Sequence, residues 1–186
     1  MVAADDDMAT LPAAVFRPAS LISGIAYGLT AAVLVYLSVV VLLAIEMLGL
    51  ADGRAGGLEA VAFLLGSLGD FYGAHAGATS GLALGIRGVG GVPAVLYYGL
   101  PFVVLGWAGF QRESTDTDPT RAAARGATVV AGYAPAVVAS LLVVARFDAL
   151  VGVDPLRVVV VAGLCYPMLV GAAGGYLATV VGDEKS

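Results

Sequence analysis

Four long stretches without a charged residue constrain how this chain can fold. They contain 28, 24, 20 and 25 residues, and they run over Pro18–Ile45, Gly88–Gln111, Gly126–Ala145 and Val158–Gly182. An α-helix needs about 20 apolar residues to cross the hydrocarbon core of a bilayer. Each stretch is long enough, so the sequence predicts four transmembrane helices.

The composition of the whole chain agrees with a membrane location. Hydrophobic residues make up 60% of the sequence and charged residues 12%, with a mean hydropathy of +0.95. Soluble domains carry about twice that share of charge. We therefore expect a multi-pass protein of the cell membrane with the lipid bilayer as its solvent. Because no basic cluster precedes the first apolar stretch, we expect that stretch to remain as an anchor.

A fifth apolar segment, 57–76, is a weaker span because it contains Glu59, Asp70 and His75. The fold class predicted is an all-α integral membrane bundle of five transmembrane helices, forming a single membrane domain over residues 1–186. The spans are placed at about 18–48, 57–76, 92–111, 119–147 and 155–182. The alternative is four spans plus a re-entrant or interfacial second helix.

Local signals mark where the helices begin. Proline suits the first turn of a helix, where its missing N–H leaves no bond unmade. Such prolines open the four charge-free spans at Pro18, Pro93, Pro119 and Pro155. Asp118 and Asp154 directly precede two of them and are predicted to cap the helix N-termini.

The polar residues of segment 57–76 are candidates for function within the membrane. On a helix, Asp70 shares one stripe with Glu59 and several glycines, which predicts that Asp70 faces neighbouring helices and not lipid. His75 is five residues further on and points elsewhere, close to Tyr72. The candidate intramembrane polar or transport positions are Asp70, His75, Tyr72, Glu59, Tyr98, Tyr133 and Tyr166.

The last three spans share a proline in mid-helix with a tyrosine shortly before it. The segments are "YYGLPFVVLG", "GYAPAVVAS" and "CYPMLVG". A mid-helix proline leaves a carbonyl one turn back without its usual donor. The favoured interpretation is kinked helices in a packed bundle, and the alternative is a gated pathway lined by Tyr98, Tyr133 and Tyr166.

Two G-x-x-x-G spacings predict close helix contacts. Gly24 and Gly28 lie in the first span, and Gly171 and Gly175 lie in the last. Small residues at this spacing allow helix backbones to approach each other in a membrane. We favour packing within the chain over dimerisation.

No set of residues predicts an enzyme. The segment "SLGDF" resembles the G-x-G-D signature of intramembrane aspartyl proteases, but Ser67 replaces the first glycine and no span contains a second aspartate. That chemistry needs two carboxyl groups, one as acid and one as base. One histidine and one cysteine also predict no metal site. We therefore expect no catalytic residue and no cofactor.

The polar residues are unusual in kind. Acidic residues outnumber basic ones by 14 to 9, the isoelectric point is about 4.6, and Lys185 is the only lysine. An acidic surface with this bias is typical of halophilic archaea, where salt screens the repulsion between carboxylates. A GC-rich genome is the alternative explanation. The negative balance argues against binding nucleic acid.

Several segments resemble an uncharacterised family of small haloarchaeal multi-pass membrane proteins. The resemblance depends on "FYGAH" at the end of the second span, "GYAP" in the fourth and "AGLCYPMLVGAAGG" in the fifth. Gly73 stands where family members carry asparagine. The resemblance implies the architecture and the compartment, and it implies no activity.

The favoured function is a non-enzymatic structural or accessory membrane component, acting with a membrane-protein partner or as a homo-oligomer. The alternative is a small transporter or channel-like protein that moves a proton, ion or small solute past Asp70 and His75. The positive-inside rule does not orient a five-span chain, because the basic residues divide five against four between its two sides.

Overall fold

The computed structural model describes residues 18–50, 94–112, 118–146 and 154–183, and every regular element in these ranges is a helix. The elements are α1 (Pro18–Leu50), α2 (Ala94–Gln111), α3 (Pro119–Ala127), α4 (Val130–Ala145), α5 (Pro155–Val158), the π-helix π1 (Val159–Cys165) and α6 (Tyr166–Asp183). The predicted all-α class is confirmed for these ranges. The segment 57–76 lies outside the described residues.

Two helices begin at the aspartate caps that the sequence predicts. Asp118 Oδ1 accepts a hydrogen bond from the backbone N–H of Thr120 at 2.9 Å. Asp154 Oδ1 accepts from the N–H groups of Leu156 at 3.0 Å and Arg157 at 3.4 Å. These bonds satisfy N–H groups that have no partner inside the helix.

The π-helix π1 ends just before a mid-helix proline. Pro167 has no N–H to offer the carbonyl of Gly163, and its ring would press on that carbonyl in a regular α-helix. The N–H of Tyr166 bonds to the carbonyl of Val161, five residues back. The wider turn contains one extra residue, and it relieves the conflict that Pro167 creates.

The helices alternate in direction. Along α1, Gly24, Gly28 and Tyr36 contact Thr128, Gly132 and Ser140 in the same order. The segment α3–α4 therefore runs parallel to α1. Residues Ala122 and Gly126 of α3 meet Gly175 and Gly171 of α6 in reverse order, so α6 is antiparallel to α3. Residues Phe102 and Phe110 of α2 contact Tyr166 and Gly174 in the same order, so α2 runs parallel to α6.

This order sorts the helix ends into two groups. Hydrogen bonds from Arg112 to Ser20 place the end of α2 beside the start of α1. The starts of α1 and α3 and the ends of α2 and α6 form a region that we call the Arg112 end of the bundle. The end of α1 at Leu50 and the start of α2 at Ala94 both lie toward the opposite end.

The bundle is apolar inside and outside. Val35, Val39 and Leu105 are fully buried in its core, while Ile22, Val103, Leu142 and Leu169 are each more than 60% exposed. Three apolar segments are long enough to cross a membrane, judged by length and composition: Pro18–Leu42, Pro119–Ala145 and Pro155–Val181. In α2 the apolar segment Gly99–Gln111 is shorter.

Candidate functional site

A cluster of polar side chains joins three helix segments at the Arg112 end. We call it the Arg112 cluster, and it consists of Arg112, Ser20, Ser23 and Thr128. The Nη2 of Arg112 donates to the backbone oxygen of Ser20 at 2.8 Å, to Ser20 Oγ at 3.0 Å and to Thr128 Oγ1 at 3.2 Å. Its Nη1 donates to Ser23 Oγ.

The position of each cluster member depends on the local structure. Ser20 and Ser23 lie three residues apart near the start of α1, so their hydroxyl groups share one face. Thr128 lies in the turn between α3 and α4, where its Oγ1 also donates to the carbonyl of Arg125 at 2.6 Å. Arg112 directly succeeds the last residue of α2. The guanidinium group thus fastens α1, α2 and the α3–α4 turn together.

The chemistry of the Arg112 cluster is that of binding and not of reaction. Arginine stays protonated at any ordinary pH, and it offers several N–H donors in a fixed planar fork. The hydroxyl oxygens of Ser20, Ser23 and Thr128 act here as acceptors for those donors. The cluster contains no group that would remove a proton from a hydroxyl, so it lacks an activated nucleophile.

The predicted glycine contacts are confirmed as contacts within the chain. A Cβ atom on Gly24 would lie 2.6 Å from Thr128 Oγ1, and one on Gly28 would lie 2.8 Å from the backbone nitrogen of Tyr133. A Cβ on Gly171 would lie 2.5 Å from the carbonyl oxygen of Gly126. Only glycine leaves room for such close backbone contacts, which favour weak Cα–H···O bonds.

Gly171 forms a junction of three helix segments. Its carbonyl oxygen occupies the space that a Cβ atom would need on Gly109 of α2 and also on Gly126 of α3. The sequence pattern did not predict a contact at Gly109 or Gly126, because neither belongs to the two G-x-x-x-G spacings. Gly132, whose Cβ position is blocked by α1 backbone, was missed for the same reason.

The structure brings two of the three candidate tyrosines to one region of the core. Tyr133 is 6% exposed and belongs to the buried cluster against which Tyr166 packs. The ring of Tyr166 also lies 4.5 Å from the ring of Phe102, tilted by 56°. The side chain of Tyr98 lies outside the described residues. The packing interpretation of the tyrosine-proline segments and the pathway alternative both stay predictions.

Four hydroxyl groups within the apolar helices, those of Thr30, Tyr36, Ser140 and Thr179, have hydrogen-bond partners. Tyr36 and Ser140 share a hydrogen bond of 2.6 Å between α1 and α4, and Ser140 Oγ lies 2.8 Å from the carbonyl of Val137, to which it donates. Thr30 and Thr179 each donate to a carbonyl in the preceding turn, at 2.9 and 2.8 Å. Such bonds reduce the cost of placing a hydroxyl group in an apolar environment.

The remaining candidate positions lie outside the described residues. These are Glu59, Asp70, Tyr72 and His75. Among the described helices, no three histidine, cysteine, aspartate or glutamate side chains lie together in a way that would hold a metal ion.

This molecule is a helical bundle with three segments of membrane-spanning length. Its helices are in close backbone contact at glycines and are joined by the Arg112 cluster. The chain belongs to a family of unknown function, DUF7978, whose model matches residues 9–182. The expectation of an uncharacterised family is confirmed. No curated protein and no solved structure matches the chain.

Proposed function

We propose that this chain is a multi-pass protein of the cell membrane with a non-enzymatic, structural or accessory role. The observation that carries the proposal is the outward face of the three long apolar segments, where large apolar side chains project away from the bundle. Monomeric soluble proteins rarely expose contiguous apolar patches larger than a few hundred Å². In a bilayer these side chains contact lipid chains, so the apolar surface is not exposed to water.

Membrane fractionation tests the location. Membranes from cells that express the tagged chain are washed with alkaline carbonate and then with high salt, and the protein is followed by immunoblot. We expect the chain to stay in the membrane and to leave it only with detergent. Recovery of a monomer in detergent-free buffer would overturn the proposal.

Of the two topologies expected from the sequence, we propose four spans with a re-entrant or interfacial segment after the first. The support is the placement of Leu50 and Ala94 toward the same end of the bundle, because one further crossing between them would put them at opposite ends. This topology places both chain termini on one side of the membrane. Epitope tags at the two termini should be accessible from the same side, and five spans would expose them on opposite sides.

The Arg112 end is proposed to be cytoplasmic. Among the described residues it carries Arg112, Arg121 and Arg125, whereas the opposite end carries Arg146 and Arg157. Positively charged residues are enriched on the cytoplasmic side of membrane proteins. The tag experiment also tests this orientation, because both tags should resist protease in intact cells.

An accessory role needs a partner, and we propose a second membrane protein or another copy of this chain. Support comes from the described helices, which are held together by close backbone contacts, by the Arg112 cluster and by the bond between Tyr36 and Ser140, an arrangement typical of packing. Crosslinking in native membranes, followed by purification under high salt, should recover a defined complex. A chain recovered only as a monomer would contradict this part of the proposal.

Transport past Asp70 and His75 remains the second prediction, and both residues lie outside the described ranges. Proton and cation flux into liposomes distinguishes the two functions. Flux that is lost in Asp70→Asn or His75→Ala would favour transport. Absence of flux in the parent and in both variants would favour the accessory role.

A further inference from the structure

Three prolines lie at one level of the bundle, although they belong to three different helices. Pro101 directly precedes Phe102, whose ring contacts the ring of Tyr166, the residue before Pro167. Because α2 and α6 run parallel, Pro101 and Pro167 are offset along the bundle by two residues, or about 3 Å. We call this position along the bundle the proline level.

Pro135 of α4 belongs to the same level. The Cβ position of Gly163 lies 3.5 Å from Val137, which is two residues after Pro135. Because α5, π1 and α6 run antiparallel to α4, Pro135 is also offset from Pro167 by two residues, or about 3 Å. Helix α1 passes the proline level near Ala31 without interruption.

The close glycine contacts of the described residues all lie on one side of the proline level. On eight glycines a Cβ atom would come within 3.0 Å of a neighbouring segment: Gly24, Gly28, Gly109, Gly126, Gly132, Gly171, Gly174 and Gly175. Each lies between the proline level and the Arg112 end, where the Arg112 cluster adds its hydrogen bonds. We call this part of the bundle the Arg112 half.

The part beyond the proline level, which we call the far half, is held by looser contacts. The two glycines there whose surroundings the structure describes are Gly99 and Gly163. A Cβ on Gly99 would meet open space, and one on Gly163 would make an ordinary contact with Val137. Side-chain packing and the hydrogen bond between Tyr36 and Ser140 hold the described helices of the far half together.

Prolines within helices make good points of bending. Each removes the backbone hydrogen bond to the carbonyl four residues before it, so the helix resists bending less at that turn. Before Pro167, the wide turn π1 interrupts the regular helix as well. Hinges of this kind concentrate a change of backbone angle in a few residues. With three of them at one level, the segments beyond can tilt while the Arg112 half keeps its contacts.

We infer that the bundle bends at the proline level. Segments 94–100, 136–145 and 155–165 tilt relative to the Arg112 half, and α1 is the unbroken support. This conformational device goes beyond the proposed accessory role. It depends on contacts within the chain and not on the identity of a partner.

Distances between pairs of spin labels, measured by double electron–electron resonance in lipid vesicles, test the inference. Cys165 is the only cysteine, so Cys165→Ala gives a background without reactive thiols. The far pair joins Leu96→Cys of α2 and Leu142→Cys of α4, which are exposed positions in the far half. The control pair joins Ile22→Cys of α1 and Leu177→Cys of α6, which are exposed positions in the Arg112 half.

We expect the distance distribution of the far pair to be at least twofold wider than that of the control pair. Equal widths of the two distributions would overturn the inference, because the two halves would then be equally rigid or equally loose. A control pair wider than the far pair would overturn it as well.

Proline substitutions test whether the bend begins at the proline level. Pro135→Ala restores an N–H donor for the carbonyl of Ala131, and because Pro135 is exposed the change leaves no buried cavity. We expect this variant to narrow the far-pair distribution toward the width of the control pair. Pro119→Ala is the matched control, since that proline opens α3 and frees no carbonyl within the helix.

Circular dichroism confirms that each variant is folded before its distances are compared. The far-pair distribution should be unchanged in Pro119→Ala. A far-pair distribution that stays equally wide in Pro135→Ala and in Pro167→Ala would overturn the inference, because the motion would then arise elsewhere in the bundle.

Discussion

Two glycines of α2, only three residues apart, should respond in opposite ways to the same substitution. A Cβ atom on Gly109 would lie 2.8 Å from Gly171 Cα and would overlap the carbonyl oxygen of Gly171. A Cβ on Gly106 would meet only a methyl group of Val170, at 3.9 Å, which is an ordinary contact. Gly106→Ala is therefore a matched control for Gly109→Ala on the same helix.

The size of the difference can be worked out from the geometry. Carbon atoms pack best at 3.5–4.0 Å, so α2 must move away from α6 by about 1 Å to admit a methyl group at Gly109. Inserting a methyl group into a packed contact costs roughly 1–3 kcal/mol. Replacing glycine by alanine within a helix stabilises by about 1 kcal/mol at either position. The free energies of unfolding of the two variants should differ by about 1–3 kcal/mol, with Gly109→Ala the less stable.

The assay uses unfolding by sodium dodecyl sulfate in mixed micelles. Fluorescence of Trp107, which lies between the two glycines, reports the α2–α6 contact, and circular dichroism reports helix content. Equal stability of Gly106→Ala and Gly109→Ala would refute the close backbone approach at Gly171. Higher stability of Gly109→Ala would refute it as well.

Three further predictions use the same unfolding assay. Arg112→Lys keeps the charge but removes the planar fork, so we expect a loss of about 1–2 kcal/mol; an unchanged stability would contradict the clamp. In a double-mutant cycle, Tyr36→Phe and Ser140→Ala should couple by about 0.6 kcal/mol, and additive effects would contradict the bond between α1 and α4. Deleting Leu164 from π1 removes the extra residue of the wide turn and should leave a folded protein. Deleting Ala172 from regular α6 rotates the rest of that helix by about 100° and should unfold the bundle, so equal outcomes would contradict the π-helix.

The helices and their caps could be predicted because their causes are local. Asp118 and Asp154 each bond to N–H groups two or three residues away, which a sequence pattern contains in full. The apolar stretches likewise indicate helices of membrane-spanning length by composition alone. The two G-x-x-x-G spacings also predicted contact faces that the structure confirms, at Gly24 and Gly28 and at Gly171 and Gly175.

The Arg112 cluster was not predicted, because its partners are distant in sequence. Arg112 lies 92 residues from Ser20 and 89 from Ser23, and no local pattern relates them. In the sequence Arg112 is one charge at the end of an apolar stretch. A pair of serines at the start of α1 was the one available signal, and it is weak because serine is common at helix starts.

The sequence by itself determined that long apolar helices form, where two of them are capped and which glycines have helical spacing, since each depends on residues within one or two turns. Only the tertiary structure decided which glycines are indispensable. Gly106 and Gly109 look equivalent in sequence, yet only Gly109 faces the carbonyl oxygen of Gly171. The tertiary structure also decided that Leu50 and Ala94 lie toward one end of the bundle. Both features depend on how whole helices cross, and the pattern within any single helix leaves that crossing open.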